Sequence, residues 1–490
     1  MSRTQSTDIH EVIIIGAGFT GICAAIKLRE AGIDFLLLEK AAEVGGVWRE
    51  NTYPDCGCDV PSALYSYSFA PNPNWQHLFA KQEEIKTYSH ETAKEFGVLQ
   101  DIRFNHELIE SRWNRAEKLW DLQTSGGPFK ARFVITACGP MHIPLTPDIK
   151  GANSFTGKVF HSANWDNGFD LTDQRVAVIG TGGSAIQFLP VIAKQVEHLT
   201  LFQRTAPWVL PKADAKISSR WRRVFKTLPF TQRLLRGALF WQFEFLNHNL
   251  KNPWFLRRLE QAARRHIHRG VKDADLREQL TPNYSLGCKR ILLSNHWYRA
   301  LAKDHVDVLP GVSEIDGNRV IASDGSSCEV DAIIYATGFE VSNLPIGELI
   351  IGADGLTLEQ QWAGSPEAYL GTMVENCPNL FLTLGPNLYT YTSAFVIIEA
   401  QVKYITSAIK KARQKNIASI QVDRQISVEL NKQLQQALQG SVWNSGCSSY
   451  FIDSNGRNSV NWPWGMSALR RKLSHFKLRD YVIEKSVSES

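Results

Sequence analysis

The chain has 490 residues, of which 43% are hydrophobic and 21% charged, and its net charge is +5. That length points to two or three domains, and that composition to an ordinary globular protein. The charge is too mild to argue for a nucleic-acid partner, and no apolar run approaches membrane-spanning length.

The polar start, MSRTQSTDIHE, lacks the apolar core of a secretory signal, so a cytoplasmic location is expected. The eight cysteines are scattered, and without an export signal they are expected to be free thiols. Cys56 and Cys58 form the closest pair, but no further ligands follow at metal-site spacing, so no metal is expected.

EVIII reads as a strand, GAGFTG as a turn, ICAAIKL as a helix and FLLLEK as a second strand. In the turn, Gly16 permits the tight bend, Gly18 lets backbone approach a pyrophosphate, and Gly21 lets helix and strand pack closely. The helix N-terminus then turns its amides toward the phosphates. Glu39 ends the second strand about 20 residues on, where a carboxylate accepts hydrogen bonds from a ribose 2′-OH and repels a 2′-phosphate. The first pocket is therefore expected to hold FAD or NAD rather than NADP.

TACGPMHIPLTPDIKG, rich in proline and glycine, reads as a linker. The strand–turn–helix pattern then recurs in VAVIGTGGSAIQ, with Gly180, Thr181, Gly182, Gly183, Ser184 and Ala185 forming the turn. The next strand, LTLFQRT, carries Gln203 and Arg204 where the first unit carried Glu39. An arginine can fork onto a phosphate, so this pocket is expected to prefer NADP. The alternative for Arg204 is a surface arginine.

After Pro211 the texture becomes basic, aromatic and helical, in SSRWRRVFKTLPFTQRLLRGALFWQFEFLNHNL. One reading is a helical insertion with a solvated basic face. The other is a contact with a membrane surface or a partner. EVDAIIYATGF brings another strand, SAFVIIEAQVKYITSAIKKARQ a helix, and EKSVSES a fraying end.

The expected fold is thus α/β, with two Rossmann-like dinucleotide-binding domains, FAD in the first and NADPH in the second. The first part of the FAD domain covers 1–143. The NADPH domain covers 144–324 with its helical insertion at about 212–280, and the FAD domain is completed by 325–490, a return suggested by YATGF. The site is expected where the domains meet. Such a pair of pockets makes a hydride relay, whose outlet is a redox disulfide or dioxygen. The Cys-x4-Cys pair of disulfide reductases resembling glutathione reductase is missing, and a disulfide within CGC would be strained, which favours dioxygen.

FTGKVFHSANWD matches the fingerprint F-x-G-x-x-x-H-x-x-x-W-[PD] of type I Baeyer–Villiger monooxygenases through Phe155, Gly157, His161, Trp165 and Asp166. GGVWRENTYPDCGCD, Gly45 to Asp59, matches a second pattern of that family, with Asp55 where glycine or methionine is usual. ATGF, Ala336 to Phe339, is a third marker. The chain resembles this family over nearly its whole length. The resemblance implies NADPH- and O2-dependent insertion of oxygen beside a ketone carbonyl, through a C4a-peroxyflavin, to give an ester or lactone. It implies Arg290, in GCKRILLSNHWY, as the catalytic arginine and Asp59 as the active-site carboxylate. It places Lys289 and Thr205 with Arg204 at the nucleotide phosphate, and Thr20, Val47, Trp48, Val60 and Tyr65 around the flavin.

Chemistry agrees with these roles. An arginine is charged at any working pH, and it can stabilise a peroxide anion or an alkoxide by about 3 kcal/mol or more in a dry site. The alternatives are a structural ion pair for Arg290 and a polar cap for Asp59. His161 resembles a hinge element rather than a general base, which would have to reach the reacting atoms. Tyr450 and Phe451, in CSSYF, stand where the family carries tryptophan near the nicotinamide. A sulfide or amine oxygenase would not need Arg290, and a nucleotide sensor without turnover would need neither Arg290 nor Asp59. The particular ketone and the oligomeric state are left open.

Overall fold

The computed structural model describes residues 9–341, 344 and 346–486. The first eight residues of the polar start lie outside the described residues.

Two sheets organise the chain. In the first, the order is Ile350–Ile351, Leu108–Asn114, Leu119–Thr124, Gly127–Thr136, Ile9–Ile15, Phe35–Leu38 and Ile102–Arg103. Ile9–Ile15 runs parallel to both its neighbours, with Ile14 opposite Leu37 and Ile135. Val12, Ile13 and Ile14 are fully buried, as expected of a parallel strand covered on both faces. Leu380–Leu382 joins this sheet late in the chain, alongside the end of Gly127–Thr136. The helix Ala394–Gln414 then packs on the helix Phe19–Glu30 and buries Phe395, Ile398, Val402, Ile405 and Ile409 at near-helical spacing.

The second sheet is parallel throughout, in the order Val306–Pro310, His198–Gln203, Arg175–Ile179, Ala332–Tyr335 and Lys158–His161. Ala332–Tyr335 therefore belongs to the second unit, and the boundary expected at residue 325 is too early. Its four buried residues pair with Arg175–Ile179 on one side and Lys158–His161 on the other, so the strand is central there. The chain returns to the first sheet only after Phe339. At that crossing the two connections lie side by side, with Leu145 N donating to Gly338 O at 2.9 Å and Glu340 N to Ile143 O at 3.0 Å.

Five helices, Ser219–Thr227, Pro229–Asn249, Pro253–Gly270, Ala274–Gln279 and Trp297–Leu301, intervene between the strands His198–Gln203 and Val306–Pro310. Pro229 and Pro253 open their helices at positions whose N–H would be unpaired anyway. Ser218, Asn252 and Asp273 cap helix starts through their side-chain oxygens. At the C-terminus, Tyr481–Lys485 pairs antiparallel with Ile417–Val422. Glu484 and Lys485 are thus strand residues rather than part of a fraying end, and residues 487–490 lie outside the described residues.

Candidate active site

The first glycine turn is built as a cradle. Gly16 has φ 102°, and a Cβ there would meet the Ala137 carbonyl oxygen at 2.7 Å. A Cβ on Gly21 would lie 1.9 Å from the Gly16 oxygen. Gly18 faces Gly46, whose own φ is 54°, so two bare Cα atoms line the same gap. The Glu39 carboxylate is buried and accepts from Ala17 N at 2.7 Å and Ala41 N at 2.9 Å, with Arg49 Nη1 at 3.3 Å. These donors leave one lone pair on Oε2 for a hydroxyl. Val47 and Trp48 open the short helix after Gly46, and Trp48 Nε1 donates to the Tyr65 hydroxyl at 2.9 Å. Thr20 and Val60 are buried, Thr20 on the helix that follows the turn. The residues present fit a dinucleotide with a free ribose.

The second turn repeats the device. Gly180 has φ 110°, and a Cβ there would lie 2.5 Å from the Ala336 oxygen, while Gly182 and Gly183 meet only open space or distant atoms. Ser184 starts the helix Ala185–Ile192. Thr181 Oγ1 donates to Thr205 O at 3.2 Å, which ties the turn to the segment after Arg204. Gln203 is buried and donates to Gln279 O at 3.0 Å, so of the Gln203–Arg204 pair only Arg204 projects outward. Arg204 has no acidic partner among the described residues. Lys289 is pulled below the usual ammonium range by burial and then by Arg204. Two cations facing each other without an acid make a site for an anion.

The loop Tyr53–Asp59 connects the two pockets. Gly57 N donates to Gln187 Oε1 at 2.8 Å, and Tyr53 packs edge-on against Phe188, both partners lying on the helix of the second turn. Asp55 sits at φ 63°, a left-handed conformation that Asp tolerates better than most residues. Its carboxylate meets Lys81 Nζ at 2.6 Å. Cys56 and Cys58 are buried thiols, Cys56 pushed up to about 11 by burial.

Asp59 and Arg290 meet although 231 residues separate them. Arg290 Nε donates to Asp59 Oδ2 at 3.1 Å, and Nη2 donates to the same oxygen. Burial alone would lower the guanidinium, but Asp59 and the neighbouring phenols outweigh it and hold Arg290 well above its ordinary value. Arg290 also lies over the Tyr389 ring, 5.8 Å from its centroid. The Arg290 loop is fixed on both sides. Ile291 N donates to the Tyr391 hydroxyl at 3.2 Å, and Leu292–Leu293 pairs with Val209–Leu210. Cys288 is disulfide-bonded to Cys447, with Cα atoms 6.2 Å apart. This corrects the expectation of free thiols for two of the eight cysteines. The reason is tertiary: the bridge joins loops 159 residues apart, which no spacing pattern reveals.

Tyr450 lies beside Arg290 and Tyr389, and Phe451 is buried against Tyr389. Tyr389 and Tyr391 escaped sequence reasoning. The only signal, alternation in NLYTYTS, says nothing about what the rings face. His161 ends the strand Lys158–His161 next to the paired crossings, its ring edge-on to Phe339. Its Nδ1 accepts from Ala163 N at 3.0 Å, and burial pulls it down to about 4. It is neutral at working pH and stands beside the paired crossings between the two units.

A family described as pyridine nucleotide-disulphide oxidoreductase matches residues 13–233. A Baeyer–Villiger monooxygenase of Streptomyces coelicolor is 43% identical over 489 residues, covering 98% of this chain and 94% of that protein. An FAD-binding monooxygenase of Aspergillus niger is 34% identical over 99% of this chain and 84% of its own length. Among solved structures, an oxidised steroid monooxygenase bound to NADP superposes with a TM-score of 0.88 at 27% identity, covering 98% of this chain and all of that one. The chain belongs to the Baeyer–Villiger monooxygenase family.

Proposed function

We propose that the chain is an FAD- and NADPH-dependent monooxygenase that uses O2 to insert one oxygen beside the carbonyl of a small-molecule ketone, giving an ester or lactone. FAD, when bound, takes a hydride from NADPH and activates O2. The first glycine turn, with Gly16, Gly18, Gly21 and Gly46, would hold its pyrophosphate, and Glu39 its ribose. Thr20, Val47, Trp48, Val60 and Tyr65 would line the rest of its pocket. Gly180 to Ala185 would hold the NADPH pyrophosphate, with Arg204, Thr205 and Lys289 at the 2′-phosphate.

The single observation that carries the reading is the Arg290–Asp59 pair, with Asp59 on the loop whose Gly57 N donates to Gln187 on the helix of the second turn. Arg290 supplies a fixed positive charge for oxygen that becomes anionic as the carbonyl is attacked. Asp59 keeps the guanidinium oriented without being able to discharge it, since arginine holds its proton at any working pH. The phenols of Tyr389 and Tyr450 complete the wall around it. We place the enzyme in the cytoplasm, where the NADPH it consumes is regenerated. Among the described residues no helix is long and apolar enough to cross a membrane.

The test is Arg290→Ala in the FAD-loaded protein. Stopped-flow reduction by NADPH should persist while ester formation from ketone is lost. Ester formation at the wild-type rate would refute the role given to Arg290.

A further inference from the structure

The helical insertion carries a surface that the reaction does not use. Among the described residues, sixteen large apolar side chains are exposed, and seven of them fall within residues 221–254. Four lie on the helix Pro229–Asn249: Phe230 at 56% exposed, Leu234 at 67%, Trp241 at 65% and Phe245 at 60%. Their spacing of four, seven and four places them on one face, a stripe about 22 Å long at 1.5 Å per residue. Trp221 and Trp254, on the helices before and after, are exposed as well, and Phe255 packs edge-on to Phe245.

The opposite face of the same helix is already covered. Gln232 donates to Asn72 O, and Arg236 donates to the carbonyls of Ala63, Leu64 and Ser66. Asn247 donates to Tyr391 O, and Glu244 accepts from Met466 N and Ser467 N. Leu239, Phe240 and Phe243 of the same helix pack against the core, so the helix carries apolar side chains toward the protein and a second apolar face without a cover.

Charge identifies the cover. Residues 218–270 hold twelve Lys and Arg against two Glu, a net +10 within a chain whose total is +5, so the remaining residues sum to −5. Ten of those twelve cations are exposed, among them Arg223, Lys226, Arg233, Lys251 and Arg257. None of the ten makes an ion pair among the described residues. Exposed Trp, Phe and Leu on one stripe, with unpaired Arg and Lys on its own helix and on the segments before and after it, is the pattern of a helix lying in the headgroup region of an anionic bilayer. A second copy of this chain fits less well, because a two-fold contact would set +10 against +10.

We propose that the Pro229–Asn249 helix docks on an anionic phospholipid surface, with Phe230, Leu234, Trp241 and Phe245 at the acyl boundary and the flanking Arg and Lys on headgroup phosphates. The docking stands independently of the oxygenation reaction. It also sets the bilayer beside the site, since Asn247 of this helix holds the backbone of Tyr391, whose hydroxyl holds Ile291.

The experiment is flotation of the FAD-loaded full chain with vesicles of phosphatidylcholine containing about 30% phosphatidylglycerol, at about 0.1 M salt, against pure phosphatidylcholine. Binding is expected only to the anionic vesicles. The triple variant Leu234→Ser, Trp241→Ser, Phe245→Ser is expected to bind at least about tenfold more weakly while its melting temperature and NADPH oxidation stay at wild type. Val428→Ser, an exposed apolar change elsewhere, is expected to change nothing. Three results would overturn the proposal. The triple variant could bind the vesicles as well as wild type. The wild type could bind neither vesicle and sediment as a dimer that the triple variant splits. Or it could ignore vesicles and bind duplex DNA.

Discussion

Removing Arg204 tests the second pocket most sharply. Arg204 stands exposed just past the strand His198–Gln203, and its like-charged neighbour Lys289 is depressed by burial and by Arg204 itself. A 2′-phosphate bound there would replace that repulsion with two attractions. A hydrogen bond to a charged group contributes about 1.5–3 kcal/mol. Arg204 is exposed and therefore screened, so the lower half of that range applies, about 1.5–2 kcal/mol. In Arg204→Ala the KM for NADPH should rise about ten- to thirtyfold. NADH has no 2′-phosphate, so its KM should stay within about twofold of wild type. The assay is steady-state oxidation of both nucleotides with saturating ketone, repeated at low and high salt. Wild-type KM for NADPH should climb with salt, and the variant's should climb less. An equal change for NADPH and NADH, or no change for either, would refute the phosphate site drawn from Arg204 and Lys289.

Asp59→Ala should slow ester formation about ten- to a hundredfold, through loss of the charge-assisted pair that orients Arg290, while FAD stays bound; product analysis beside flavin absorbance measures both. His161, pulled down to about 4 in the fold by burial, takes up its proton in the unfolded chain first, near 6.5. The stability it contributes is therefore complete above pH 6.5 and lost as pH falls from 6.5 toward 4, by about 2 kcal/mol between pH 7 and pH 5. Urea unfolding at the two pH values should show His161→Gln losing correspondingly less than wild type, and identical losses would remove His161 as the cause. Cys447→Ser should lower stability by about 2–5 kcal/mol, since the bridge to Cys288 closes a long loop. Reductant should bring wild type to the variant's melting temperature, and eight alkylatable thiols in the unfolded, unreduced protein would show that no bridge forms.

Both glycine turns were legible in the sequence because their chemistry is local. Gly16 and Gly180 each need a positive φ and a bare Cα against a carbonyl, and each sits between an apolar strand and a helix. The exchange of Glu39 for Arg204 was equally readable, because both follow the second strand of their unit. The strand Ala332–Tyr335 was found but assigned to the wrong unit. Four apolar residues do not say which sheet they enter, and only pairing with Arg175–Ile179 decides it. The Arg290–Asp59 pair was reached through family resemblance, since 231 residues separate its members. Tyr389, Tyr391 and the Cys288–Cys447 bridge carried no local signal, because each owes its place to contacts between distant loops. The exposed stripe of the Pro229–Asn249 helix lay between these cases: the sequence displayed its basic and aromatic texture, but which face was already covered required the fold.

The central claim is oxygen insertion beside a ketone carbonyl, and isotope labelling tests it most directly. The FAD-loaded protein would be incubated with NADPH, a panel of linear and cyclic ketones and heavy-isotope O2, and the products analysed by mass spectrometry. Esters or lactones carrying one heavy oxygen atom each are expected from wild type, and none from Arg290→Ala. Heavy oxygen found only in sulfoxides or N-oxides when sulfides and amines are offered, or NADPH oxidation with no oxygenated product, would contradict it.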